Sequence, residues 1–180
     1  IDPGNFYEKL YSNKKVKIIN ELFNDNIVEL LKNKLKGKKY YMISDIRSAP
    51  NNEGIICDNN LQMKWVKMLN PEYSQLKFRM PYNYDKKDKK YTFLEGKIYL
   101  QMYAPVSSSE TRIVIDKNKY KNTTKEELNS KNYIVKDNYI YNNYSINKYE
   151  GVMSYFNRYL RVSYYEHNVK NKYIDHCCDC

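Results

Sequence analysis

Three charged residues of this 180-residue chain, Asp45, Lys77 and Glu110, stand at comparable places in strand-like runs, spaced by 32 and 33 residues. Asp45 closes "YYMISD", Lys77 lies within "YSQLKFR", and Glu110 immediately precedes "TRIVI". A lysine on an apolar strand facing carboxylates can have its pKa pulled by burial and neighbours until it serves as a base. In an open α/β sheet, ligands bind beyond the carboxyl ends of the strands, so an acid there is well placed for chemistry. A plainer reading competes with this one. Asp and Ser after a strand start a turn, and a strand lysine is commonly solvated. From residue types and spacing alone the plainer reading is the stronger.

The elements that would position these residues follow from periodicity. "KVKII" (15–19) is a short strand candidate. Residues 25–37 carry Ile27, Val28, Leu30, Leu31 and Leu35 at helical spacing, with Asn24 or Asp25 as cap and Gly37 at the end. "YYMIS" follows as a buried strand, so strand, helix and strand make a βαβ unit and a parallel sheet. After a polar loop (49–58), residues 59–69 form a second helix through Leu61, Trp65, Met68 and Leu69, which Asn70-Pro71 stops. "YSQLKFR" alternates as a strand, with Leu76 and Phe78 on one face and Lys77 and Arg79 on the other. A charged loop (82–97) leads to the strands "IYLQMYA" and "TRIVI". Residues 116–148, rich in Asn, Lys and Tyr, read as an insertion or irregular β structure. Residues 150–165 are expected to be helical, through Val152, Met153, Phe156, Leu160 and Val162.

Length allows one domain with a real core. No apolar run approaches the roughly 20 residues of a membrane span, and the start at Ile1, without a basic-plus-apolar leader, predicts no secretory signal. The net charge is +10, from 31 basic and 21 acidic residues, beside 21 tyrosines. A basic, tyrosine-rich surface suits nucleic acid, because cations meet phosphate while rings stack on bases. The Asn, Lys, Tyr and Ile bias of an AT-rich genome produces the same composition, so charge alone leaves the choice even. The cysteines Cys57, Cys177, Cys178 and Cys180 lack a framework spacing, which points to a reducing compartment. His176 with Cys177, Cys178 and Cys180 does not make two separated ligand pairs. No metal is expected.

"MISDIRS", "LNPEYSQLKFRMPY" and "YAPVSSSETRIVI", in this order and spacing, resemble the poxvirus cap-specific mRNA 2′-O-methyltransferase family, with "KYEGVMSYFNRYLR" as a second anchor. Members of that family double as the small, processivity subunit of the viral poly(A) polymerase. The resemblance implies a single methyltransferase domain over residues 1–180. Its fold would be α/β: a Rossmann-like, S-adenosylmethionine-dependent methyltransferase sheet with helices on both faces and an antiparallel strand near one edge. It also implies a Lys-Asp-Lys-Glu tetrad, of which Asp45, Lys77 and Glu110 match the last three members. In that scheme Lys77 takes the proton of a ribose 2′-hydroxyl as the oxygen attacks the sulfonium methyl of S-adenosylmethionine, and an amine does so only when neutral or in concert with proton loss. Asp45 and Glu110 orient the lysine and the hydroxyl, and Asp45 also meets the cofactor.

Further assignments rest on the same likeness. Asp2, in "IDPG", matches the acid that holds the cofactor ribose, although Gly4 stands where the family has an arginine. Phe23 and Asn24 fall near the adenine pocket, and equally suit packing and capping at a helix start. Cap recognition requires aromatic stacking on a methylated, cationic guanine and a carboxylate at its amino edge. Tyr82 matches a stacking aromatic, Glu150 a guanine-edge acid, and Arg79 and Ser108 residues lining that pocket. Tyr84 stands where the family has a second acid. The first tetrad lysine, the Gly-rich cofactor loop and the first strand of the sheet have no counterpart in the chain, whose five glycines form no G-x-G cluster. The chain therefore reads as the larger C-terminal part of such an enzyme, acting on capped mRNA in the host cytoplasm or the virion. Two rivals stand beside it: a non-catalytic RNA-binding subunit of a viral poly(A) polymerase, and a 2′-O-methyltransferase for uncapped RNA.

Overall fold

The computed structural model describes residues 1–83, 87, 89–102, 104 and 108–163. The chain forms two compact units, Ile1–Lys39 and a second beginning at Tyr40. In the first unit, α1 (Glu8–Tyr11) is a single turn, and α2 (Asp25–Lys34) is capped by Asn24, whose side chain accepts the Ile27 N–H at 3.1 Å. Ile27 and Val28 are buried while Leu30 is exposed. The strand expected over residues 15–19 does not form. A strand needs a ladder partner, and Ile19 instead accepts one isolated bond from Asp2 N–H, while Val16 N–H turns back to Asn13.

Among the described residues, the second unit holds seven strands in two sheets. The first sheet contains β1 (Tyr41–Ser44), β2 (Tyr73–Phe78), β4 (Lys97–Leu100) and β5 (Thr111–Asp116), in the order β1-β2-β5-β4. β1 and β2 are parallel, joined by α3 (Asn52–Leu69) as a βαβ unit; β5 lies antiparallel to both β2 and β4. The sheet is thus mixed rather than parallel, and its parallel pair uses α3 rather than α2. β1 is half-buried, not buried: Met42 and Ser44 face inward, whereas Tyr41 and Ile43 share an exposed face with Tyr73 and Tyr99.

The second sheet, β3-β7-β6, is antiparallel and consists of β3 (Lys90–Leu94), β6 (Ile134–Lys136) and β7 (Tyr139–Ser145). β3 falls inside the stretch expected to be a charged loop; its inward residues Phe93 and Leu94 are buried beneath lysine-rich flanks. Residues 116–148 are likewise regular. They hold α4 (Lys125–Ser130), started by a Thr124–Glu127 capping box, and a β6–β7 hairpin. Asp137 and Asn138 both take positive φ (52° and 62°) at the hairpin turn, as a two-residue connection between twisted strands requires.

α3 begins at Asn52, seven residues before its expected start, because Asn51 caps it by accepting the Gly54 N–H at 2.8 Å. Its inward face includes Asp58, Asn59 and Gln62, all buried, which masks the hydrophobic period. Asn70 ends it in the left-handed conformation (φ 54°), followed by Pro71. The core lies between the sheets, where Phe78 of β2 packs against Phe93, Tyr91, Tyr144 and Tyr149, with ring centroids 5.1–6.3 Å apart. Gly96, between β3 and β4, keeps the strands close: a Cβ there would stand 2.7 Å from the Val114 carbonyl oxygen. The C-terminal helix α5 (Ile146–Tyr155) starts four residues earlier than expected and passes into a π-helical turn, Phe156–Arg161. Val152, Leu160 and Val162 are exposed, so the expected apolar face is only partly the buried one. No helix among the described residues is long and apolar enough to cross a membrane.

Candidate active site

Alternation along β2 puts Tyr73, Gln75 and Lys77 on one face, and β5 answers with Asp116, Val114 and Arg112 directly opposite. Lys77 therefore faces Arg112 across the ladder, a pairing of like charges that is unfavourable alone. Two carboxylates resolve it. Glu110, at the entry to β5, places Oε2 3.1 Å from Lys77 Nζ and Oε1 3.2 Å from Arg112 Nη2. Asp45, just past β1, places Oδ1 3.5 Å from Lys77 Nζ and 2.5 Å from Arg112 Nη2. The four charges balance in one alternating cluster at the end of β1 and β2 where β5 begins. Lys77 is 4 % exposed and Asp45 55 %, so the amine sits at the base of the cluster and the carboxylate at its mouth.

Buried polar groups of α3 hold this arrangement. Gln62 Nε2 donates to the Lys77 carbonyl oxygen at 2.9 Å, and Asn59 Nδ2 to that of Arg79 at 2.9 Å. Asp58 accepts the N–H and the hydroxyl of Ser48, each at 2.8 Å, and the Arg47 guanidinium lies 3.4 Å away. The helix thus anchors the loop leaving Asp45 and the backbone on both sides of Phe78. The amide nitrogens of Asn59 and Gln62 and the Asp58 carboxylate are thus committed to backbone and loop groups, which ties the site to the helix. Gln101 Nε2 adds a 2.6 Å bond to Glu110 Oε1. Periodicity passed over these residues, yet Arg112 was readable: two positions after Glu110 on an alternating strand, it shares that acid's face.

A second group of predicted residues gathers beside the first. The Arg79 guanidinium covers one face of the Tyr82 ring, 3.8 Å from its centroid, and donates to the Pro50 carbonyl oxygen at 3.2 Å. Tyr82 is fixed further by its N–H to Asn52 Oδ1 (2.8 Å), and its hydroxyl meets the Ser109 hydroxyl at 3.2 Å. It remains 42 % exposed. Glu150 Oε1 accepts the Asn83 N–H at 2.8 Å, and Ser108 Oγ accepts that of Glu110 at 3.2 Å. Tyr149 donates its hydroxyl to the Ser109 carbonyl oxygen at 2.6 Å; burial pushes the pKa of this phenol well up, so it stays a donor. Tyr84 lies outside the described residues, as do His176, Cys177, Cys178 and Cys180. Among the described residues no cluster of His, Cys, Asp or Glu could hold a metal ion.

Asp2, Phe23 and Asn24 belong to the first unit. Asp2 Oδ1 accepts the Gly4 N–H at 2.7 Å in a turn, and a Cβ on Gly4 would stand 2.9 Å from that oxygen. Gly4 thus keeps the carboxylate uncovered. Asn24 caps α2, and Phe23 is half-buried.

A curated relative, the cap-specific mRNA (nucleoside-2′-O-)-methyltransferase of fowlpox virus (strain NVSL), is 34 % identical over 119 residues, which are 63 % of this chain. The match spans 38 % of that relative's length. Residues 1–176 match the family described as the poly A polymerase regulatory subunit, and the chain belongs to that family.

Proposed function

We propose that this chain carries the acceptor side of a cap-specific mRNA 2′-O-methyltransferase with a Rossmann-like core. The observation that carries the reading is the Lys77 amine held between Asp45 and Glu110, with the Arg79–Tyr82 stack and Glu150 alongside. S-adenosylmethionine, when bound, supplies a methyl group on a cationic sulfur. Within the second unit the donor set suits it: Asp45 would offer a negative charge to the cationic cofactor at the mouth of the site. Lys77, after giving up its own ammonium proton to water, receives the proton of the 2′-hydroxyl of the first transcribed nucleotide. Glu110 and Asp45 orient the amine and the hydroxyl, and such positioning supplies much of the rate. Tyr82, 42 % exposed, offers its ring to the methylated guanine, and Glu150 its carboxylate to the base edge. The +10 charge holds the phosphate chain.

The family's name favours one further reading: an RNA-binding partner of a viral poly(A) polymerase catalytic subunit, in which the same surface grips RNA without chemistry. The two separate in one assay. The 180-residue chain, and the chain within its full reading frame, are given methyl-labelled S-adenosylmethionine and short RNAs. The RNAs are capped, uncapped, or capped with a 2′-deoxy first nucleotide. Label is expected on the first RNA alone. Equal label on uncapped RNA identifies a different substrate, and RNA binding with no label in either protein favours the regulatory subunit.

A further inference from the structure

The buried face of α5 runs through Ile146, Tyr149, Met153 and Phe156, at helical intervals of three and four. Continued at 3.6 residues per turn, that face next takes Leu160. The molecule does otherwise. The π-helical turn holds an extra residue and rotates the chain beyond it by about 100°. Leu160 is 47 % exposed, and Arg161 is fully buried in its place. A leucine in register for the core is turned out so that a cation can enter, against the preference of charged groups for water. Turns of this kind recur at functional sites, and the bonds made here show what this one grips.

Arg161 Nη2 donates to the Gln101 carbonyl oxygen at 2.7 Å, with the guanidinium 4.9 Å from the Phe156 ring. Gln101 lies one residue past the last β4–β5 register pair, Leu100↔Thr111, where the ladder no longer holds it. Its side chain donates to Glu110 Oε1 at 2.6 Å, and the other oxygen of Glu110 is 3.1 Å from Lys77 Nζ. Asn157, in the same turn, donates Nδ2 to the Ser108 carbonyl oxygen at 2.8 Å. The turn therefore grips the backbone on both sides of the 101–108 connection, next to the acid that faces the lysine.

We infer that the π-helical turn is a brace for Glu110, with Arg161 a positioning residue that acts through Gln101. The inference deepens the methyltransferase reading and, as far as activity goes, rests on it. Removing the guanidinium frees the Gln101 backbone, lets its amide leave Glu110, and changes the surroundings of the Lys77 amine without touching bound RNA or cofactor.

The test uses Arg161→Met, Arg161→Lys, Gln101→Met, Asn157→Ala and the Arg161→Met/Gln101→Met pair, within the full reading frame. Two readouts are taken: methyl-transfer kinetics on capped RNA, and the Lys77 Nζ resonance in a side-chain NMR spectrum. Arg161→Met and Gln101→Met should each lower kcat by about tenfold, the low end for a displaced catalytic group, with both KM values within about twofold. The double variant should be no worse than the worse single, because both act on one contact. Arg161→Lys, which can still donate, should recover part of the loss. Asn157→Ala, on the rim of the turn, should move the Lys77 resonance in the direction seen with Gln101→Met. Additive losses in kcat, or an unmoved resonance in variants whose Tm has fallen, would reduce Arg161 to a packing residue and overturn the inference. If wild type transfers no methyl group, the function reading fails by itself, and the Lys77 resonance still decides for or against the brace. Should Arg161→Met not fold, the Arg161→Lys and Asn157→Ala resonances decide between brace and packing in the same way.

Discussion

Replacing Lys77 by alanine is expected to lower single-turnover methyl transfer to capped RNA by at least about 100-fold, the usual loss when a positioned general base is removed. The stronger form of the test is Lys77→Arg. A guanidinium keeps the positive charge between Asp45 and Glu110, so the cluster remains balanced and RNA binding is preserved. It cannot accept a proton at any pH where the protein is folded. Lys77→Arg and Lys77→Ala should therefore be equally inactive while differing in stability, since only alanine leaves Arg112 alone against two carboxylates. Quench-flow measurement on labelled cofactor reads the rate, and thermal unfolding reads the stability. Near-normal turnover in Lys77→Arg would mean that charge, not proton transfer, is what position 77 supplies.

Tyr82→Ala is expected to erase most of the preference for capped over uncapped RNA. The loss of one stacking platform corresponds to roughly 1–3 kcal/mol, or about 5- to 150-fold in affinity. The response to salt discriminates between mechanisms. Phosphate contacts release counterions and weaken steeply as salt rises, whereas base contacts largely do not. The variant should keep the wild-type salt slope on both RNAs and lose only the vertical offset between them. Arg79 rests on the Tyr82 ring at 3.8 Å and also donates to the Pro50 carbonyl oxygen, so the truncation bares one face of a guanidinium that stays anchored and cannot restore discrimination. Fluorescence titrations of both RNAs at several salt concentrations supply the comparison. Equal binding of both RNAs by wild type would remove the cap pocket from Tyr82 and favour the uncapped-RNA or regulatory-subunit readings.

What could be read ahead of the structure divides along physical lines. β2 and β5 were legible because they alternate over apolar positions, and the end of α3 because Asn70-Pro71 can do little else. The start of α3 was hidden because its buried positions 58, 59 and 62 are polar, chosen to bond the loops that carry the site rather than to repel water. β3 was hidden by lysines at the strand's start. The strand expected over residues 15–19 shows the opposite error, since apolar alternation states a preference that only a neighbouring ladder can realise. At the site, the nearness of Asp45, Lys77 and Glu110 was suggested by order along the chain. The antiparallel pairing that brings Glu110 to Lys77 was not, because register depends on partners and not on spacing. Arg161 was beyond reach: a π turn changes the helical period itself, so any reading at 3.6 residues per turn selects Leu160.

The separation of strand partners along the chain also sets an order of assembly. The β6–β7 hairpin closes across two residues, Asp137 and Asn138, and such hairpins form in microseconds. The β2–β5 ladder joins Lys77 to Arg112, and β3–β7 joins Lys90 to Ser145. Each of these closes a long loop whose entropy is lost before any contact compensates it. Pulse-labelling hydrogen exchange during refolding should protect amides of the hairpin first, those of the β2–β5 ladder next and those of β3 last; simultaneous protection would show that one nucleus spans both sheets. On a ribosome the same connectivity has a directional result. Asp45 and Lys77 emerge early, Glu110 later, and the arginine that braces it close to the end of the described chain. On the proposed function, translation therefore delivers the lysine before it delivers the brace on Glu110, and the site reaches its full rate only once the last helix docks.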